Sequence, residues 1–414
     1  MMETKETRYG RTIAACFLGY ILQAVVVNVS PILFLTLKNQ FLLSYSQLGL
    51  LVLANFVTQL GCDFIFGSMI DRVGFRPLAL GATGVSLLGF LTFAAAPWLF
   101  PQNPYPCFFA GTLIFAIAGG LMEVLLSPII NALPLEQNKR NSLMGFVHSA
   151  YSWGQFIVVL VTTLLLYFLG AANWQWIFIF WCVVPVAVFL LFVKAPLSPG
   201  VPAEKQQNAK SILLSRTFAL CMIVMIVGGA GELIVGQWAS SFIEESLGIS
   251  KAVGDVLGVC AFALAMSAGR MLYSKMSDRL NIYTALEKGL WILFICYLAI
   301  GFAPGRIVPM IAIVLSGFGV AMTWPGTLVV ASEKFPLAGS WMFALMAAGG
   351  DIGCSFGPWL SGKLIDVYEK LPAVATMAQK VGLSTGQFSL RMGLLIGSVF
   401  CVIGICALKK LKKR

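Results

Sequence analysis

The stretch GSMIDRVGFRP, Gly67–Pro77, interrupts two long apolar runs with one acid, two arginines and two glycines. Its surroundings decide how to read it. The 414-residue chain is 59% hydrophobic and only 11% charged, with a mean hydropathy of +0.88. A soluble domain carries about 25% charged residues, so this composition belongs to a membrane protein. A membrane-crossing helix needs roughly 20 apolar residues. Working outward from Gly67 in both directions gives twelve such segments, near 12–37, 46–70, 75–99, 107–133, 141–169, 173–194, 212–241, 249–276, 282–303, 306–331, 338–366 and 388–409. The expected fold class is an all-α membrane protein of twelve transmembrane helices in two six-helix halves. The first run is too long for a signal peptide and other spans follow it directly, so no cleavage is expected.

The net charge of +11 invites a nucleic-acid reading, which its distribution refutes. With twelve spans, 21 of the 28 basic residues fall on one side, including the tail KKLKKR. Lys38, Lys251, Arg306, Lys363, Lys370, Lys380 and Arg391 fall on the other. The positive-inside rule then places both termini in the cytoplasm of a cell-membrane protein. The excess charge is topology, with a contact to anionic membrane lipid at the tail. The ten cysteines are scattered without a CxxC pair, so neither a disulfide framework, a metal site nor a cofactor is expected. The protein is expected to act as a monomer.

KAPLSPGVPAEKQQNAK, Lys194–Lys210, is the longest non-apolar stretch in mid-chain. It divides a first bundle (1–193) from a second (212–414) across a cytoplasmic linker (194–211). Internal repetition supports that division. Asp71-Arg72 recurs as Asp278-Arg279, 207 residues later and half a chain length on, and Met69 and Met276 keep the same register. Parallel six-helix repeats are a transporter architecture.

The opening stretch now has a context. The pattern Gly67-x-x-x-Asp71-Arg72-x-Gly74-x-Arg76 resembles the signature loop that the major facilitator superfamily carries between its second and third helices. A turn this short calls for glycine at Gly74. Asp71 is expected to accept hydrogen bonds near the start of the third helix. The resemblance implies that Arg72 and Arg76 pair with carboxylates of the other half and gate the cytoplasmic side. The second copy, at Asp278 and Arg279, has Tyr273 and Asn281 in place of its glycines, which weakens its gating role. The resemblance implies the superfamily's fold and not a substrate.

An ionisable residue inside a span costs about 2.5–3.5 kcal/mol on insertion scales and is a functional candidate by default. Glu123 lies in GGLMEVLLSPIINALP on the fourth span. That run resembles the fucose–galactose–glucose symporter branch of the superfamily, which implies a role for Glu123 in proton coupling and substrate contact. The branch also places an acid in the first helix, where this chain offers Gln23, Asn28 and Ser30. On the fifth span, His148, Tyr151, Ser152 and Gln155 fall within about a third of the helical circumference, a polar stripe expected to line a cavity. Glu232, in GGAGELIVGQWASSF on the seventh span, sits just past mid-membrane with Gln237 and Trp238 beside it. Amides next to an aromatic face suit a sugar, which offers hydroxyls on its edges and an apolar ring face. Asp351 projects away from the seam Gly349-x-x-x-Gly353-x-x-x-Gly357, toward the interior, unless it pairs with Arg270. Trp324 on the tenth span completes the set, and Trp98, Trp174 and Trp176 read as an outer interfacial belt.

These residues point to a secondary transporter of a small polar solute, sugar or sugar-like, coupled to H⁺ or Na⁺ and working by alternating access. Drug export on the same fold is the alternative. Exporters of that kind carry a Gly-Pro-Gly-Gly motif late in helix five, and this fifth span, FVHSAYSWGQFIVVLVTTLLLYFLG, has no proline. A sensor built on the fold would add a soluble domain. An enzyme would need a nucleophile elbow, a phosphate loop or a metal cluster, and none is visible.

Overall fold

In lipid every backbone N–H and C=O must find its partner within the protein, which leaves helices as the economical answer for runs this apolar. The computed structural model describes residues 5–43, 45–67, 69–200, 207–249 and 254–413, so 201–206 of the expected linker, with Lys205, Lys251 and Arg414, lie outside the described residues. All regular structure among the described residues is helical. The chain divides into two units, Met1–Asn208 with Pro336–Ala348, and Ala209–Phe335 with Gly349–Arg414.

The first unit holds spans one to five as Lys5–Ile32, Tyr45–Gly67, Phe75–Leu99, Tyr105–Asn131 and Gln137–Leu169, and span six as Gln175–Trp181 continued by Val183–Lys194. Its interior is aromatic. Phe93 stacks on Phe178 with centroids 4.4 Å apart, and Phe90, Phe108 and Phe115 close around them. Trp174 belongs to this cluster. Instead of lying in an outer belt it is fully buried, and its Nε1 donates to Gln40 Oε1 at 2.9 Å. That bond satisfies the indole N–H, so burial becomes the favourable place for so large an apolar surface. Trp98 and Trp176 are exposed and touch edge to face, as an interfacial belt requires.

In the second unit span seven is Arg216–Ser241, followed by a π turn at Phe242–Ser246. Span eight enters through a π turn at Asp255–Cys260 and continues as Ala261–Met276. Span nine is Ile282–Phe302, and span ten is broken into Ile307–Val320 and Thr323–Lys334. Span eleven is Ser340–Glu369, its first residues to Ala348 belonging to the first unit and the rest to the second, and span twelve is Thr385–Leu394 continued by Ile396–Lys412. Among the described residues ten helical stretches are long and apolar enough to cross a membrane. Spans eight and eleven are the two outside that count. The first has a π turn and Arg270 in it, and the second carries Asp351, Lys363 and Asp366.

The glycine seam of span eleven sets the packing of this unit. A Cβ on Gly353 would collide with the Ile226 carbonyl of span seven, and one on Gly357 would lie 2.8 Å from the Ala230 Cβ. Two backbones can approach this closely only where both side chains are absent or small. The seam therefore fixes the face of span eleven that meets span seven, and with it where Gly350 and Asp351 fall.

Candidate functional site

In the first unit, Gln23 on span one donates through Nε2 to Glu123 Oε2 on span four at 2.9 Å. Gln23 is buried and Glu123 half-buried. One helical turn away on both helices, Tyr20 and Ser127 meet the sole histidine. Tyr20 Oη lies 2.8 Å from Ser127 Oγ and 2.8 Å from His148 Nε2, and Ser127 Oγ lies 3.1 Å from the same nitrogen. Spans one, four and five thus share a polar interior built on two adjacent layers. Of the expected stripe on span five, His148 and Ser152 are buried while Tyr151 and Gln155 are half-buried. Asn28 turns its Nδ2 onto the Ala24 carbonyl of its own helix at 2.8 Å.

Span two adds a further buried ladder. Gln59 Nε2 donates to Asn55 Oδ1 at 2.9 Å and Asn55 Nδ2 to the Val26 carbonyl at 3.2 Å, with Asp63 buried one turn on.

The second unit builds its site around a residue absent from the expected set. Pro325 lacks an N–H, so the carbonyl four residues before it, at Ala321, has no helical donor. Span ten breaks there. Arg270 on span eight fills the gap, its Nε donating to Ala321 O at 2.9 Å. The approach is possible because the neighbouring Gly269 has no side chain: a Cβ there would lie 2.6 Å from the Ala321 Cβ. The guanidinium also faces Glu232 of span seven, with Nη2 to Oε2 at 3.8 Å and side-chain exposures of 3% and 11%. Trp324, just past the break, is half-buried and lays its ring against Gly350 of span eleven. Asp351 is buried beside it.

Two further expected members, Gln237 and Trp238, lie on span seven. Gln237 is exposed on its own unit. Trp238 packs on span eleven, its Nε1 donating to the Pro358 carbonyl at 3.3 Å and its ring covering Gly362. An indole N–H away from water needs an acceptor, and the Pro358 carbonyl serves.

The signature loop makes backbone contacts within its own unit. Gly74 has φ +87° and ψ 161°, a conformation open essentially to glycine alone. A Cβ on Gly67 would collide with the Ala344 Cβ. Asp71 Oδ2 accepts from the N–H of Ser340, the first residue of span eleven, at 3.1 Å. Arg76 donates through Nη2 to the Ala195 carbonyl at 2.6 Å. Arg72 is exposed. In the second copy Asp278 and Arg279 are exposed in the turn, and Asn281 caps span nine by accepting from the Tyr283 N–H at 2.9 Å.

Tyr20 and Ser127 were not singled out from the sequence, and Arg270 only as a partner for Asp351, though each left a trace. Tyr20 lies three residues from Gln23 and Ser127 four from Glu123, which places each pair on one helix face. Arg270 is a cation within an apolar run.

Long apolar helices in two units, with acids and amides held against one another inside the first and an acid against a guanidinium inside the second, define a polytopic membrane transporter. The chain belongs to the Major Facilitator Superfamily, whose sequence profile matches residues 16–358. A "Probable 4-methylmuconolactone transporter" of Cupriavidus pinatubonensis is 25% identical over 305 residues, covering 70% of this chain and 68% of that protein. Among solved structures, a variant of the E. coli fucose:proton symporter FucP superposes with a TM-score of 0.76 at 14% identity, covering 98% of this chain and 99% of that one. The proton:xylose symporter XylE superposes with a TM-score of 0.78 at 17% identity, covering 99% and 96%. At these identities the likeness is one of fold. Family and fold are those of transporters and not of enzymes.

Proposed function

We propose that the chain takes up a small polar solute, sugar or sugar-like, by alternating access in symport with protons. The observation that carries the reading is the Gln23–Glu123 contact. It holds a half-buried carboxylate at the meeting of spans one and four, next to further hydroxyl and amide groups. An intramembrane acid whose amide partner can both donate and accept is able to load and release a proton. Glu123 is the coupling carboxylate in this reading. Gln23, Tyr151 and Gln155 supply hydrogen bonds to hydroxyls, and Trp324 an apolar face.

Proton-coupled sugar symporters share the fold, and the distant relative is named for another small oxygen-rich compound. Both agree with a small oxygenated cargo. The protein sits in the cell membrane as a monomer, both termini cytoplasmic and the basic tail against lipid. Asp71, Arg72, Arg76, Asp278 and Arg279 belong to the cytoplasmic loops that gate access.

The test is uptake into proteoliposomes of labelled monosaccharides and polyols, with and without an inward proton gradient. Accumulation of a member of the panel that collapses with the gradient is the expected result. Uptake of none of them overturns the sugar reading.

A further inference from the structure

Between spans eleven and twelve the chain forms a short helix, Pro372–Lys380, that crosses nothing. Its ends are built. Pro372 opens it at a position where a missing N–H costs no helical bond. Gly382, at φ +71°, closes it: the Leu383 N–H donates to the Ala378 carbonyl at 3.0 Å and the Gly382 N–H to the Gln379 carbonyl at 3.2 Å. The two spans meet at their own ends, since a Cβ on Gly386 would lie 3.4 Å from Glu369 Oε1. The helix is therefore a detour and not a bridge.

One side of this helix is apolar beyond what the protein covers. Val374 and Ala378 are buried. Met377 and Val381, one turn apart and adjoining that buried face, are 55% and 60% exposed. Thr376, Gln379 and Lys380 fall on the opposite side and are exposed. Exposed Lys370 and Lys380 stand at the two ends, with Leu371 exposed beside the first. A helix surrounded by water gains nothing from methionine and valine on an open flank. Its depth explains them. Arg391 of span twelve marks the edge of the apolar layer, because its Nη1 donates at 2.6 Å to the Ala303 carbonyl, one residue past the end of span nine. Thr385 lies about 9 Å further out along that helix, comparable with a headgroup layer of roughly 5–8 Å on each side of the hydrocarbon. The short helix packs against Thr385–Leu394, which sets it at headgroup level.

We propose that Pro372–Lys380 is an interfacial helix whose Met377–Val381 flank seats on a phospholipid surface, at the boundary of acyl chains and headgroups, with Lys370 and Lys380 reaching lipid phosphates. Apolar flank inward, polar face to water and lysines at the rim are what that boundary selects. The contact ties the adjoining ends of spans eleven and twelve to the leaflet. It goes beyond the transport reading and is independent of the cargo.

The experiment uses the full chain in nanodiscs of phosphatidylethanolamine and phosphatidylglycerol. A Cys406→Ser background removes the exposed native thiol, and its residual labelling is the blank. Nitroxide labels are placed singly through Thr376→Cys, Met377→Cys, Gln379→Cys and Val381→Cys, and collisions are measured with oxygen, which enters lipid, and with a nickel chelate, which stays in water. The oxygen-to-chelate ratio at 377 and 381 is expected to exceed that at 376 and 379 by about threefold or more, as for a helix lying in the interface plane. Equal ratios at all four positions place the flank in water and overturn the proposal. Few collisions with either reagent at 377 and 381 mean that protein covers the flank, as a second copy would, and overturn it too. Lys370→Gln with Lys380→Gln is expected to lower the ratio at 377, and an unchanged ratio overturns the phosphate contacts. None of these readouts involves solute, so their failure leaves the transport reading as it stands.

Discussion

Gln23 and Glu123, 100 residues apart in sequence, meet at 2.9 Å with the amide donating. The direction of this bond matters. An amide N–H stabilises a carboxylate strongly but also tolerates the acid, because the Gln23 carbonyl is able to accept from a protonated Glu123 after the amide rotates. The same two side chains therefore serve both protonation states without a rearrangement of helices. A lysine or arginine at position 23 would hold only the charged form.

Glu123→Gln is accordingly expected to bind solute and to exchange it across the membrane while losing accumulation against a gradient. Counterflow and gradient-driven uptake, measured side by side in proteoliposomes, separate the two activities. Retention of gradient-driven accumulation would remove Glu123 from coupling. Gln23→Leu removes the donor and is expected to cost about 1.5–3 kcal/mol, the range for a hydrogen bond to a charged group, read as a lower melting temperature in detergent.

Gly353→Val should be among the most damaging single changes in the second unit. The Cβ collides with the Ile226 carbonyl, a backbone atom that cannot swing aside, so spans seven and eleven must separate. Overpacking of this kind costs about 1–3 kcal/mol or more. Gly81→Ala, where a Cβ meets nothing within 4 Å, is the matched change expected to leave the melting temperature in place.

The two copies of the loop predict two different sensitivities. At Gly74, φ +87° is denied to residues with a Cβ, so Gly74→Ala is expected to cost about 1–3 kcal/mol although no neighbour crowds the site. Asn281 has φ −60° and works through its side chain as a helix cap. Asn281→Ala should cost about 1 kcal/mol and Asn281→Gly only a few tenths. Melting curves of the three variants decide whether the strain and the cap are assigned to the right copies.

The sequence made the spans legible because lipid allows few answers to a long apolar run, and the loop legible because its glycine and charges recur at half-length. The seam at Gly349, Gly353 and Gly357 was also legible, since i, i+4 spacing puts glycines on one helix face. Pairing was not. Arg270 was offered only to Asp351, and helical phase alone does not show that so long a side chain also faces Glu232. The break at Ala321 was written in Pro325, four residues on, but its consequence depends on Gly269 letting a second helix come close. Trp174 was misplaced because an indole near a span end suits an interface or a core equally, and the choice was made by Gln40, 134 residues away.

Tyr20, Ser127 and His148 form a closed set of three buried groups on three helices, with contacts of 2.8, 2.8 and 3.1 Å. Because each hydroxyl touches both other members, removing one should loosen the remaining pair. Tyr20→Phe deletes only the oxygen and is expected to cost about 1 kcal/mol or more, with a buried nitrogen and hydroxyl left to one another. Ser127→Ala should cost a similar amount. The double variant is expected to cost less than the two singles together, by about 0.5 kcal/mol or more, which is the mark of groups sharing one network. Strict additivity in a double-mutant cycle, followed by thermal or denaturant unfolding in detergent, would mean that the three bonds act separately. Uptake measured on the same variants then shows whether the set only braces spans one, four and five or also holds Gln23 and Glu123 in register one turn away.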